Sequence, residues 1–323
     1  MTGPDHLDAD RLSAPGGQPV LLVDAAGWRR PDAPIQAVVI GVDREGVLPA
    51  VEADDFDLLL TAAADAPRPW VCDADGGRLV ERVRTNPFAA TIAAAVLRLT
   101  EKLPLADALT VESLAYSTLL GGGEFARWRG RARTAATPVP SEPLAIARDG
   151  DRLTLTLNDP ANRNAMSAPM RDALYEALAN ALDDPSKPDV LLRGAGKCFS
   201  TGGLLGEFGS ARDLAQAHAV RSLHSCARAL GALGTRGAVR LHGACVGSGI
   251  EVAAAAHWRI AAPGAWFQLP EVVMGLIPGA GGTATVARAI GRHRTLWMLL
   301  SAKRVSARQA LDWGLVHAIE DSP

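Results

Sequence analysis

The stretch Gly243–Thr283, GACVGSGIEVAAAAHWRIAAPGAWFQLPEVVMGLIPGAGGT, decides how the chain is read. It opens on a small-residue turn, Gly247-Ser248-Gly249, and runs into an alanine-rich helix-forming segment. A short strand follows, and then a glycine-rich turn (Gly279, Gly281, Gly282) that begins another helix. Two glutamates, Glu251 and Glu271, sit among apolar neighbours, where a carboxylate loses its hydration. A strand, a tight turn and a helix leave the first helical N–H groups without partners. Those donors and the helix dipole favour an anion or a developing oxyanion. The same small residues would also allow close helix–sheet packing, and Glu251 would also complement the dipole from the first turn. The stretch alone leaves both readings open.

The preceding residues give it a framework. Ala238–His242 and Asp189–Arg193 read as buried strands, with the loop Gly194–Gly206 and a long helix, Ala211–Leu233, between them. Ser167 and Pro169 start an amphipathic helix through Leu182. Leu144–Arg148 and Arg152–Leu157 flank Asp149-Gly150 as a hairpin, and Asn158–Asn164 is a polar loop. Strand, crossover helix, strand repeats of this kind predict an α/β fold with mostly parallel pairing.

Residues 134–143, with three prolines, form the best linker in the sequence. Upstream, Pro19–Val23 and Ala37–Val42 predict strands, and Asp55–Ala64 and Pro69–Cys72 a further pair of elements. Ala89–Thr100 and Leu105–Leu120 are helical, the first with Ile92, Val96 and Leu99 on one face. Residues 1–18 are polar and acidic and read as disordered. The expected organisation is thus a disordered start (1–18), an N-terminal α/β and helical region (19–133), a linker (134–143) and a core (144–323).

Composition excludes several classes. A net charge of −2 over 323 residues gives no global attraction to nucleic acid or membranes. The N-terminus has no signal-peptide pattern, and no charge-free apolar run is long enough to span a bilayer, so a cytoplasmic protein is expected. Cys72, Cys198, Cys226 and Cys245 form no CxxC pair or regular framework, which favours free thiols and gives no metal site.

Five segments carry a resemblance. NRNAM at Asn162–Met166, KCFSTGGLLGEF at Lys197–Phe208, GACVGSGIEVA from Gly243, FQLPEVVMGLIPGAGGT to Thr283, and ARQALDWGLVHAI at Ala307–Ile319 occur in the order found in the enoyl-CoA hydratase/isomerase (crotonase) superfamily, which residues 144–319 resemble. The resemblance implies a crotonase-like ββα spiral core. It also implies an oxyanion hole made by the backbone N–H groups of Gly203 and Ser248, a device whose donors are each worth roughly 3–4 kcal/mol. Both glutamates of the family's hydratases are present. The implied reaction is reversible syn addition of water to a 2-enoyl-CoA, with Glu251 the base for water and Glu271 the proton donor. Δ3,Δ2-enoyl-CoA isomerisation, other acyl-CoA enolate chemistry and a non-catalytic subunit are the alternatives.

Arg163 and Lys197 match positions near CoA phosphates, and Ser200, Leu204, Leu205 and Phe208 complete the implied substrate contacts, with Trp266 and Met274 as further wall. Trp297 and Trp313 are expected in the core. No cofactor beyond the substrate's own CoA is implied, and the family habit is a homotrimer or hexamer. Leu204 and His257 stand where family members usually carry aspartates, and either could reshape the acyl pocket. Family members also continue past the GLV segment with helices that cover the site. Asn86–Arg133 looks like those helices, so the N-terminal region is expected either to supply the cover, as a permuted or degenerate second unit, or to be an unrelated domain.

Overall fold

A computed structural model describes residues 6–73, 76–132 and 138–321. Helix α1 (His6–Arg11) precedes four short strands, β1 (Val20–Asp24), β2 (Val38–Asp43), β3 (Leu58–Thr61) and β4 (Val71–Cys72), which form one parallel sheet in chain order. Of residues 1–18, expected to be disordered, 1–5 lie outside the described residues and the segment around Ala9 to Ser13 is held in place. Ala9 and Ser13 are buried, and the Leu12 carbonyl accepts from the N–H groups of Gln36 and Ala37 at 3.0 and 2.8 Å. Polar composition misses this because a few apolar side chains, among them Ala9 and Leu12, join a cluster with Val39, Phe56 and Trp70 beneath the sheet.

Four helices follow: α2 (Gly76–Thr85), α3 (Pro87–Thr100), α4 (Leu105–Leu120) and α5 (Gly123–Arg129). Pro87 and Pro104 pre-set the starts of α3 and α4, and Gly121-Gly122 ends α4. The buried Glu124 carboxylate accepts from Phe88 N (2.8 Å) and Ala89 N (2.9 Å), which satisfies two first-turn donors of α3. The buried face of α3 differs in part from the expected one. Val96 is buried and Ile92 packs against the core as expected, but Leu99 is exposed, and Ala89, Ala90, Ala93, Ala94 and Leu97 also face inward, because the small alanines let α3 approach its neighbours closely. Residues 134–137 of the expected linker lie outside the described residues, and 138–143 form neither helix nor strand.

The hairpin β5 (Leu144–Asp149) and β6 (Arg152–Leu157) turns at Gly150, whose φ of +55° suits glycine. Helix α6 (Ala168–Asp183) is capped by Ser167 Oγ on Met170 N, and β7 (Asp189–Gly194) follows. The single long helix expected next is broken into α7 (Leu214–Leu223) and α8 (Cys226–Ala232). His224 leaves helical geometry, and Ser225 caps the second piece through Arg228 N.

Strands β8 (Gly237–Leu241) and β9 (Ala244–Val246), helix α9 (Ser248–Ala253), and strands β10 (Trp258–Ala261) and β11 (Trp266–Gln268) complete the centre. Helices α10 (Gly282–Ile290) and α11 (Arg292–Ser301), strand β12 (Val305–Ser306), helix α12 (Ala307–Trp313) and strand β13 (Ala318–Ile319) end the described chain.

The strands form a spiral. One sheet has the order β13-β10-β8-β7-β6-β5, parallel except for the β5–β6 hairpin, and a second has the order β12-β11-β9. Consecutive passes repeat the same step. The segment β8–β9 pairs with β10–β11 in both sheets, Trp258 with Ala238 and Trp266 with Ala244. The preceding pass continues the pattern by bridging Ser200 to Cys245 and Met166 to Gly203. Alternating burial along β8 is the period-2 signature of a half-covered strand.

One hydrophobic core joins the two regions, running from Val38 and Ala89 to Phe267 and Val316. Polar ties reinforce it. Asn86 Nδ2 donates to Val272 O (2.8 Å), Thr100 Oγ1 to Thr283 O (2.9 Å), and the buried Arg292 guanidinium to Phe56 O (2.6 Å) and Ala53 O (2.7 Å). The four cysteines are free thiols. Trp297 is buried and meets Trp313 edge to face at 5.6 Å, in the core as expected. No helix among the described residues is long and apolar enough to cross a membrane.

Candidate active site

The spiral brings two loops against each other. Ser200 N donates to Ala244 O (3.1 Å) and Val246 N to Ser200 O (3.0 Å), so the 200–203 loop lies along the strand leading into α9. A Cβ on Gly202 would stand 2.9 Å from Val246 O, and one on Gly203 2.4 Å from the Phe208 ring, so both positions need the bare backbone. The bridge at Gly203 is made by its neighbours, with Met166 N on Gly202 O and Leu204 N on Met166 O. The Gly203 N–H therefore takes no part in it. Ser248 is the first residue of α9, so its N–H has no acceptor within that helix.

Both residues line a cavity of about 540 Å³, together with Leu204, Leu205, Phe208, Glu251, Glu271 and Met274. The carboxylates converge. A Cβ on Gly247 would lie 2.8 Å from Glu271 Oε1 and 3.8 Å from Glu251 Oε1, so both acids face the same point beside the turn. Gly247 also holds φ +50°, ψ −126°, a conformation that side chains disfavour.

The two acids differ in their partners. Glu251 Oε2 accepts from Ala280 N (2.7 Å) and Gly282 N (3.1 Å). Burial raises its pKa to about 7, with these backbone donors pulling the other way. Glu271 begins a 3-10 turn (Glu271–Met274) rather than ending a strand, and its Oε2 is buried without a hydrogen-bond partner. Burial first, and the nearby Glu251 and Glu112 charges after it, push its carboxyl well above the ordinary range. Both carboxyls are thus pushed upward by burial, and only Glu251 has backbone donors on its carboxylate pulling it back. Ser248 Oγ is likewise buried without a partner.

Helix α4, within the Asn86–Arg133 segment expected as one candidate for the cover, supplies a wall whose individual residues are not singled out in the sequence. Leu109, Glu112, Ser113 and Tyr116 line the cavity, and Glu112 is a third buried carboxyl. Its Oε1 accepts from Gly281 N (2.6 Å), and its Oε2 accepts from Thr283 N (2.7 Å) and Thr283 Oγ1 (2.6 Å). Burial, and then repulsion from Glu251, raise its pKa to about 8 against these three donors. The signal was available: a glutamate on the apolar stripe Leu109, Glu112, Tyr116 is anomalous in the same way as Glu251. Helix α5 packs behind two residues of the cavity wall, Phe208 and Leu205. Trp128 meets Phe208 at 6.5 Å and Phe125 at 5.8 Å, and Arg129 donates to Leu205 O (3.2 Å).

Other expected contacts lie elsewhere. Ser200 is fully buried, its Oγ donating to Asn164 O (2.7 Å) and accepting from Gly202 N (3.2 Å), so it shapes the loop instead of facing a ligand. Arg163 and Lys197 are exposed and do not line the cavity. The cavity's cations are instead Arg171, Arg212, Arg221 and Arg228, on or beside α6, α7 and α8. Trp266 packs under the Arg304 guanidinium at 4.0 Å, outside the wall. His257 is exposed against Trp258 and does not reach the cavity, whereas Leu204 does.

Comparison with known proteins agrees with this geometry. Residues 152–321 match the family model described as enoyl-CoA hydratase/isomerase. A probable enoyl-CoA hydratase of Mycobacterium tuberculosis is 33% identical over 183 residues, 56% of this chain and 71% of the relative. The 2,3-dehydroadipyl-CoA hydratase of Escherichia coli is 34% identical over 173 residues, 54% of this chain and 67% of the relative. The crystal structure of an enoyl-CoA hydratase from Thermoplasma volcanium superposes with a TM-score of 0.52 at 28% identity, covering 56% of this chain and 73% of that one. The spiral of paired sheets, the two facing loops and a match over more than half its length place the chain in the enoyl-CoA hydratase/isomerase family, as an enzyme of crotonase-like fold with an additional N-terminal region.

Proposed function

We propose that the chain hydrates a 2-enoyl-CoA thioester. The observation that carries this reading is the unequal pair of acids at one point. Glu251 is held by two N–H donors, whereas Glu271 Oε2 is buried without a partner and burial pushes its carboxyl well above the ordinary range. In the proposed reaction the thioester oxygen accepts from the N–H groups of Gly203 and Ser248, which draws electron density from C3. Ionised Glu251 takes a proton from water as its hydroxyl bonds to C3. The resulting enolate collapses as Glu271 gives its proton to C2 on the same face. Proton exchange with solvent then restores the starting states.

The arginines along α6, α7 and α8 suit the phosphates of CoA, and Leu109, Tyr116, Leu204, Phe208 and Met274 would bound the acyl group. Residues 19–133 are read as the source of the covering helices, in the manner of a degenerate or permuted second unit.

The test is hydration of crotonyl-CoA, followed as loss of the conjugated thioester absorbance. Activity is expected from the wild type and none from Glu251→Gln with Glu271→Gln. Turnover that survives the double change would refute the mechanism. A wild type that binds CoA esters without hydrating any would favour isomerase or non-catalytic readings.

A further inference from the structure

We propose that Glu112, carried by α4 of the N-terminal region, is a positioning residue of the active site: it fixes the 280–283 turn so that this turn can hold the Glu251 carboxylate. The proposal rests on the reading of Glu251 as the base. Four consecutive backbone N–H groups are dealt alternately to two acids. Ala280 donates to Glu251 (2.7 Å), Gly281 to Glu112 (2.6 Å), Gly282 to Glu251 (3.1 Å) and Thr283 to Glu112 (2.7 Å). A turn gripped from both sides cannot shift toward one acid without stretching the bonds to the other. The same turn opens α10, so the two carboxylates jointly occupy the donors of that helix N-terminus.

The turn has little rigidity of its own. It holds Gly279, Gly281 and Gly282, and Gly281 adopts φ +122°, a conformation that side chains seldom reach. The clamp therefore supplies the order that the turn's own residues do not. Glu112 in turn is fixed by the Thr283 hydroxyl (2.6 Å) and by burial within α4, next to Ser113, which accepts from Arg221 Nε (3.2 Å) and bonds His218 Nδ1 (2.9 Å). The matched family segment begins at residue 152, so this contribution comes from outside it.

Glu112→Asp keeps a carboxyl group and shortens its reach by one methylene, so it can no longer hold both Gly281 and Thr283. The turn loosens, Glu251 loses part of its N–H support, and its proton is held more tightly. The groups facing this pair are Glu271 on the 3-10 turn, Tyr116 on α4 and Arg221 on α7, all unchanged in the variant.

Two readouts test it on the full chain. In pH-dependent infrared difference spectra, the protonated-carboxyl band of Glu251 is identified by its loss in Glu251→Gln. In Glu112→Asp that band should persist to a pH about one unit higher than in the wild type. In crotonyl-CoA hydration, kcat should fall by about ten- to a hundredfold with KM little changed, and the acid limb of the pH profile should move upward. Thr283→Val, which removes one donor to Glu112 and keeps the backbone, should move the Glu251 band the same way by less, and it serves if the Asp variant fails to fold. A Glu251 band at its wild-type position in these variants overturns the proposal. An inactive wild type would refute the hydratase reading alone, since the infrared titration needs no turnover.

Discussion

The N-terminal region and the spiral core meet across one cavity but contribute to it in different ways. From the core come backbone donors at Gly203 and Ser248 and two acids on adjoining turns, all placed by strand pairing that repeats from pass to pass. From the N-terminal region come side chains on helices: the apolar wall of α4 and one more acid, with α5 packed behind Phe208. Family likeness covers the first set and stops before the second. The chemistry of a site and its enclosure can therefore belong to separate parts of a chain even when one hydrophobic core binds both.

Perturbing one side at a time sharpens this contrast. Glu251→Gln, on the core side, should lower turnover by about 10²–10⁴-fold, the range for losing a general base, with the thermal midpoint retained. Glu112→Ala, on the other side, leaves the buried N–H groups of Gly281 and Thr283 without acceptors. Each orphaned donor costs about 1–3 kcal/mol, readable in urea unfolding. If that variant is as stable as the wild type and equally active, the contribution of α4 is steric alone.

The pH response separates the regions less sharply, because the acids interact. Glu112, at about 8, and Glu251, at about 7, lie above the ordinary carboxylate value of 4.5. The folded protein therefore holds protons that the unfolded chain has already released. Their contribution to stability is full below about 4.5 and is lost as pH rises through 7 and 8, by up to about 1.4 kcal/mol per pH unit for each group. The thermal midpoint should fall across that window, and less steeply in Glu251→Gln. Activity should instead rise near pH 7 as Glu251 ionises and fall where Glu271 loses its proton. The smallest effect is expected at the mouth. Arg228→Ala, at an exposed position, should raise KM for a CoA ester by about fivefold or less, the loss of one solvent-screened ionic contact of up to about 1 kcal/mol, with kcat unchanged.

Much of the core was legible because its signals are local. Asp149-Gly150 announced a hairpin, Ser167 a helix start, and the Gly247–Gly249 turn the beginning of α9. Leu105–Leu120 emerged with the boundaries its spacing predicts. Non-local facts were not legible. The break between α7 and α8 depends on Ser225 capping Arg228 N in place of continuing one helix. The inward face of α3 is chosen by what packs against it, so alanines are buried and Leu99 is left outside. Ser200 looked like a ligand contact because it sits beside Thr201 and Gly202, which line the cavity, yet its hydroxyl holds the loop together. Glu112 carried a visible anomaly, an acid on an apolar stripe. Its partners, Gly281 and Thr283, lie 169 and 171 residues further along the chain.

The buried Arg292 guanidinium joins Phe56 and Ala53, 236 and 239 residues away, to the start of α11. Ties of this span close large loops and form late, since much chain entropy must be lost before they contribute. On the ribosome, the N-terminal helices emerge with their inward faces uncovered and wait for nearly the whole chain before the cavity can close. Refolding followed by activity should lag behind refolding followed by helix content, and the interval measures how long the N-terminal region remains unpartnered.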